Sequence, residues 1–218
     1  MTKVHPNAAA KQKASPPLAQ SENSVAVLTV WKKSLLLNCD GYTVFDAKGN
    51  LVFRVDNYAA ASKAKNTHEI ILMDAAGNSL VTIRRKRLSV SDNWLVYDGE
   101  TAVNPILSAR KHMSLLNTKS LAHVSSCCGG GGKGSSSSSS PSSKKAMYEI
   151  KGSYAERRCT LYDGDMKAVA EIMPKEAVGG LAFRGDVFRL VVQPEIDSAV
   201  AMAIVILLDQ MFGSSKYL

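Results

Sequence analysis

Ala199 to Leu208 is a run of ten residues, Ala-Val-Ala-Met-Ala-Ile-Val-Ile-Leu-Leu, without one polar side chain. As a helix it reaches only about 15 Å, half the hydrocarbon thickness of a bilayer, so it is too short to serve as a transmembrane span. A helix with no polar face belongs inside an apolar container. Pro194 stops the preceding segment, Asp197 is placed to cap the N-terminus, and Gly213 follows Met211 and Phe212 where a left-handed residue is expected. Val200, Ile204, Val205 and Ile206 also suit a strand, but the length of the run and its alanines favour a helix. Ala199, Val200, Met202, Ile204, Val205, Leu207 and Leu208 are therefore expected to form a structural core helix.

From residue 25 to residue 192 the chain reads as short apolar or alternating runs cut by turn residues, which is an all-β pattern. The runs Val25 to Val30, Ser34 to Leu37, Tyr42 to Phe45, Leu51 to Val55 and onward to Val187 to Val192 amount to roughly a dozen strands. The turns repeat. Asp46-Ala47-Lys48-Gly49-Asn50 returns as Asp74-Ala75-Ala76-Gly77-Asn78, and both read as hairpin loops in which Gly takes a positive φ and Asp bonds the local backbone. Asp98-Gly99 and Asp163-Gly164 read as two tighter relatives. An open sheet of about a dozen strands leaves vulnerable edges, whereas closure into a barrel removes them and supplies the container the helix needs. The expected fold is mainly β, a closed antiparallel barrel of about twelve strands around a buried C-terminal helix.

Residues 1 to 24 lack the apolar stretch of a secretory signal and read as a disordered tail. Ser125 to Ser143 holds a four-glycine run and six consecutive serines, and reads as a disordered loop interrupting one domain that spans residues 25 to 213. Four cysteines without framework spacing point to a reducing, intracellular and mainly cytoplasmic setting, with peripheral membrane or nuclear placement as alternatives. The formal net charge of +8 is compatible with an anionic partner and equally with ordinary solubility.

Six stretches carry a family resemblance: Leu28-Thr29-Val30-Trp31-Lys32-Lys33-Ser34-Leu35, Gly41 to Asp46, Leu51 to Tyr58, Ile71 to Ala75, Thr82-Ile83-Arg84-Arg85-Lys86 and Trp94 to Gly99. Together they resemble the plant LURP-one-related family, densely from residue 25 to 124 and more loosely from 146 to 212, with the Ser/Gly loop outside the match. The resemblance implies a tubby-like fold, a twelve-stranded barrel around a central C-terminal helix, with distant kinship to phospholipid scramblases. Tubby-like proteins are regarded as membrane-tethered transcription regulators that hold phosphoinositide head groups, and some LURP-one relatives are implicated in plant defence. Fold alone does not transmit function, so these remain analogies.

Arg84-Arg85-Lys86-Arg87 is the densest charge in the chain. If Val81 and Ile83 point inward, strand alternation turns Arg85 and Arg87 inward as well, at a large desolvation cost. The strand should therefore bulge or end near Arg84 and project the cluster from a rim. There it would suit anionic phospholipid head groups, an import signal, or a charged edge that discourages strand pairing. Lys32 and Lys33 are a weaker version of the same signal. Cys127 and Cys128 lack zinc spacing and form a candidate lipidation site.

No catalytic motif stands out. There is no Gly-x-Ser-x-Gly or His-Glu-x-x-His, and His5, His68, His112 and His123 are isolated from partners in sequence. Gly132-Lys133-Gly134-Ser135 fails as a phosphate loop, and the turn aspartates lack calcium-loop spacing. Trp31, Trp94, Tyr42 and Tyr97 read as barrel packing, without the basic interleaving of a nucleic-acid platform. The expectation is a monomeric, non-enzymatic binding or regulatory protein with no metal, cofactor or transmembrane span, whose protein partners the sequence does not name. The alternatives are scramblase-like lipid transport and an interaction scaffold regulated through its Ser-rich loop.

Overall fold

The computed structural model describes residues 24–36, 40–57, 69–86, 93–101, 103–112, 120–127, 147–176 and 185–213. Twelve strands precede one helix: β1 (Ala26–Trp31), β2 (Asp40–Phe45), β3 (Leu51–Asn57), β4 (Glu69–Asp74), β5 (Ser79–Arg85), β6 (Asn93–Asp98), β7 (Pro105–Lys111), β8 (Ser120–Ser126), β9 (Tyr148–Ser153), β10 (Arg158–Asp163), β11 (Ala168–Pro174), β12 (Val187–Val192) and α1 (Ser198–Phe212). Sequential strands pair antiparallel, and β1 pairs with both β2 and β12, which closes the barrel. The expected fold is the observed one.

Alternation sets the two faces of the wall. Leu28 and Val30 of β1, Val81 and Ile83 of β5, and Phe188, Leu190 and Val192 of β12 all point into the lumen and are buried. The helix fills that lumen. Every residue from Ala201 to Asp209 is buried, so the helix has no solvent face over that stretch; Ala199 and Val200, at its mouth, are half-buried, and Gln210 in the last turn is exposed. The gap between the helix and β9 to β12 measures about 10 Å³, too little for more than a single water. Cys159 lines this gap, and burial pushes its thiol up to about 11, which keeps it protonated and unreactive.

The helix caps follow the sequence at one end and depart from it at the other. Asp197 Oδ1 accepts from the Ala199 and Val200 N–H groups at 2.8 and 3.0 Å. Gly213, expected to be left-handed, is extended at φ −60°, and its N–H donates to the Asp209 carbonyl at 2.7 Å. Glycine is needed there for a different reason: a Cβ would lie 2.3 Å from that carbonyl oxygen.

The 28-residue repeat is two strands long, so it places one turn after β2 and the same turn after β4. In each, Asp accepts from the Asn N–H at 2.8 Å and the Gly takes a φ of +85° or +93°. The turn after β10 is not tighter. Asp163 accepts from Lys167 N–H at 2.9 Å in the same five-residue frame, and Met166 takes the left-handed position at φ +64° where Gly164 was expected to do so. Two further differences are informative. Ser34 to Leu36 is a loop and not a strand, and β8 runs through Ser126, because its ladder with Leu107 and Ser108 of β7 overrides serine's weak strand preference. Residues 1–23 and 128–146 lie outside the described residues.

Candidate functional site at the basic end of the barrel

Antiparallel order sorts the loops between two ends. The short turns after β2, β4, β6 and β10 and the β12-to-α1 connection share one end, with Asp46, Asp74, Asp98, Glu100, Asp163, Asp165, Glu195 and Asp197 against Lys48 and Lys167. The β8-to-β9 connection, which carries Lys133, Lys144 and Lys145, leaves from that same end. The other end receives the close of β1, β5 and β7, the start of β10 and the C-terminus of α1. Lys32, Lys33, Arg84, Arg85 and Lys86 therefore all fall at one end, although 50 residues separate the two groups in sequence. Cys127 closes β8 at the opposite end, so it cannot face the same plane as these cations. Arg87 and Cys128 lie outside the described residues.

The five cations are not equivalent. Lys32 Nζ pairs with Asp209 at 2.9 Å. Arg84 lies on the outer face of β5, its Nη2 2.9 Å from both Glu69 carboxylate oxygens and its guanidinium 5.9 Å from the Tyr97 ring. Both are thus neutralised within the fold. β5 ends at Arg85, as the cost of burying that cation requires, leaving Arg85 and Lys86 exposed. Lys33 is also exposed, with Nζ 5.5 Å from the centre of the Trp31 ring. Trp31 is not barrel packing: it points outward and is 40% exposed, in contrast to buried Trp94 and Tyr42.

Beneath this rim is a polar cluster that the sequence did not reveal. Asp209, in the last turn of the helix, is 8% exposed. It accepts from Tyr154 Oη at 3.2 Å and lies 3.9 Å from Arg157 Nη2. Arg157 is stacked between the Tyr154 and Phe188 rings at 4.3 and 4.6 Å, and its Nε donates to the Gly185 carbonyl at 2.8 Å. Burial first, and then the Asp209 charge, hold the Tyr154 hydroxyl well above its ordinary pKa, and burial does the same for Tyr42. The negative end of the helix dipole also lies here, with no basic residue in the helix's own last turn to answer it. Lys32, Arg157 and Lys111, whose Nζ donates to the Met211 carbonyl at 3.5 Å, supply that charge from the barrel rim. This arrangement is structural: it stoppers the barrel.

The fold also joins two histidines that are separated in sequence. His123 Nε2 lies 3.0 Å from His112 Nδ1, with the rings at 77°. Burial, then His112, lowers the pKa of His123 below 6.5. A histidine whose native pKa is depressed contributes stability that is complete above 6.5 and is lost as pH falls toward the native value. Wild type is therefore expected to lose stability more steeply than His123→Gln as pH drops below 6.5, as read from urea midpoints across pH. Among the described residues, no three His, Cys, Asp or Glu side chains converge as a metal site, and no helix is long and apolar enough to cross a membrane.

Comparison with known proteins agrees with this architecture. The LURP-one-related family model matches residues 26–209. Protein LURP-one-related 8 of Arabidopsis thaliana is 49% identical over 219 residues, covering 99% of this chain and 100% of that protein. Protein LURP-one-related 17 of the same plant is 42% identical over 200 residues, covering 85% of this chain and 83% of that one. The X-ray structure of a further Arabidopsis thaliana protein superposes with a TM-score of 0.57 at 21% identity, over 85% of this chain and 91% of that chain, which supports the fold alone. None of these names states an enzymatic activity. With the family model spanning the barrel from its first strand into its central helix, the chain belongs to the LURP-one-related family.

Proposed function

We propose that this protein is a non-enzymatic binding module whose basic barrel end docks on anionic phospholipid head groups. The observation that carries the reading is the sorting of charge: Lys33, Arg85, Lys86, Arg110 and Arg158 are exposed at one end against Asp40, Glu156, Glu176 and Asp186, while at the other the carboxylates of the short turns far outnumber the described cations. A charge distribution of this kind orients the molecule before contact, basic end toward a negative surface. Lys32 and Arg84 contribute little, since their charges are already answered by Asp209 and Glu69. The filled lumen directs any ligand to the outside of the barrel. A defence role rests on family resemblance alone.

Each basic residue near an acidic bilayer contributes about 1 kcal/mol, so Lys33→Ala/Arg85→Ala/Lys86→Ala together are expected to weaken binding by about 100-fold. Liposome flotation with and without phosphatidylserine and phosphoinositides measures this. Wild type should float with the anionic vesicles and be released by high salt, and the triple variant should stay behind. Equal recovery with neutral and anionic vesicles, or of wild type and variant, would overturn the reading.

A further inference from the structure

The segment Trp31 to Leu36 is built inside out. Ser34 is 5% exposed, whereas Leu35 and Leu36 are 54% and 39% exposed, beside the exposed Trp31. In an unconstrained loop the hydrophobic effect turns leucine inward and serine outward. Here the backbone is held against that tendency. Ser34 Oγ donates to the buried Asp56 Oδ1 at 2.6 Å and accepts from the Leu36 N–H at 3.1 Å. Thr43 Oγ1 donates to the Lys33 carbonyl at 2.7 Å, and the Lys32 N–H donates to the Asp186 carbonyl at 2.7 Å. Asp56 is fixed in turn by Arg54, whose Nε lies 3.2 Å away. The outward aim of the leucines is thus imposed by polar anchors and is not the slack of a loose loop.

We infer that Trp31, Leu35 and Leu36 form a wedge that enters the boundary between head groups and acyl chains of an anionic membrane, with Lys33 meeting the lipid phosphates. This rests on the membrane-surface reading above. Charge complementarity selects the occupant: the wedge sits at the basic end, together with Arg85 and Lys86, so a negatively charged bilayer matches both its apolar and its charged parts. Tryptophan favours the interfacial layer, and a neighbouring lysine keeps its ammonium among the phosphates while its stem lies in apolar surroundings. The Lys33 ammonium lies 5.5 Å from the centre of the Trp31 ring, so the charge and the indole stand side by side.

Trp31 is also the probe. The chain has two tryptophans, so Trp94→Phe leaves Trp31 as the single fluorophore; because Trp94 is buried away from lipid, wild type reports the same comparison. Vesicles of phosphatidylcholine and phosphatidylserine with brominated acyl chains should blue-shift and quench Trp31 emission. Leu35→Ser/Leu36→Ser should bind at least about tenfold more weakly. If wild type binds the vesicles, Trp31 stays unquenched and the double variant binds undiminished, the wedge is overturned and the head-group reading stands. If wild type binds no vesicle, both are overturned, and the loop is left as a surface for a protein partner.

Discussion

Asp209→Ala is expected to lower the unfolding free energy by about 3–5 kcal/mol, the cost of removing one partner from a buried ionic cluster. The carboxylate is the point where Lys32 at 2.9 Å, Tyr154 at 3.2 Å and Arg157 at 3.9 Å converge. Truncation leaves the Arg157 guanidinium between two aromatic rings with its main counter-charge gone. It also leaves Lys32 facing an emptied site. The desolvation already spent on these groups is no longer offset, and the penalty exceeds the loss of any single hydrogen bond. Urea denaturation checks this as a lower midpoint at unchanged slope, with Asp209→Asn falling between the variant and wild type. An unaltered midpoint would show that the cluster does not stopper the barrel.

Ile206→Ala should cost about 2–5 kcal/mol. Ile206 is fully buried at the middle of a helix enclosed by the barrel wall. The usual relief, collapse of neighbours into the cavity, is restricted here, since the wall is a closed hydrogen-bonded ring and the helix cannot shift toward one side without opening a gap on the other. Gln210→Ala, at an exposed position on the same helix, should change stability by no more than about 0.5 kcal/mol. Thermal or urea unfolding of the pair distinguishes a packed plug from a loosely held helix; equal effects from both substitutions would refute the packed plug.

Much of this fold is legible in the chain because its main determinants are local or periodic. The alternation of Leu28 and Val30, or of Val81 and Ile83, needs only the two-residue period of a strand. The Asp-to-Gly turns announce themselves because a carboxylate and a residue free to adopt positive φ are what the loop requires. Even the end of β5 at Arg85 follows from the cost of carrying a cation inward. The failures are instructive in the same terms. Gly164 looked like the left-handed residue, but the register of β10 with β11 places Met166 there. Ser34 to Leu37 read as a strand, but the bond from Ser34 to Asp56, 22 residues away, together with those from Thr43 to the Lys33 carbonyl and from the Lys32 N–H to the Asp186 carbonyl, holds Ser34 inward and turns Leu35 and Leu36 out.

A closed all-β wall, a helix that must be enclosed and a surplus of positive charge can all be read from the chain. Short-range sterics, side-chain periodicity and the insolubility of a ten-residue apolar run are enough for that. Which of those charges reach the surface is settled by long-range packing. Lys32 and Lys33 are adjacent and chemically identical, yet one is paired with a helix residue 177 positions away and the other faces solvent. Arg84 and Arg85 differ in exposure, Arg84 half-buried against Glu69 and Arg85 exposed at the rim. The identity of a partner across a barrel depends on strand register and on where the helix ends, which are long-range quantities that no local pattern encodes.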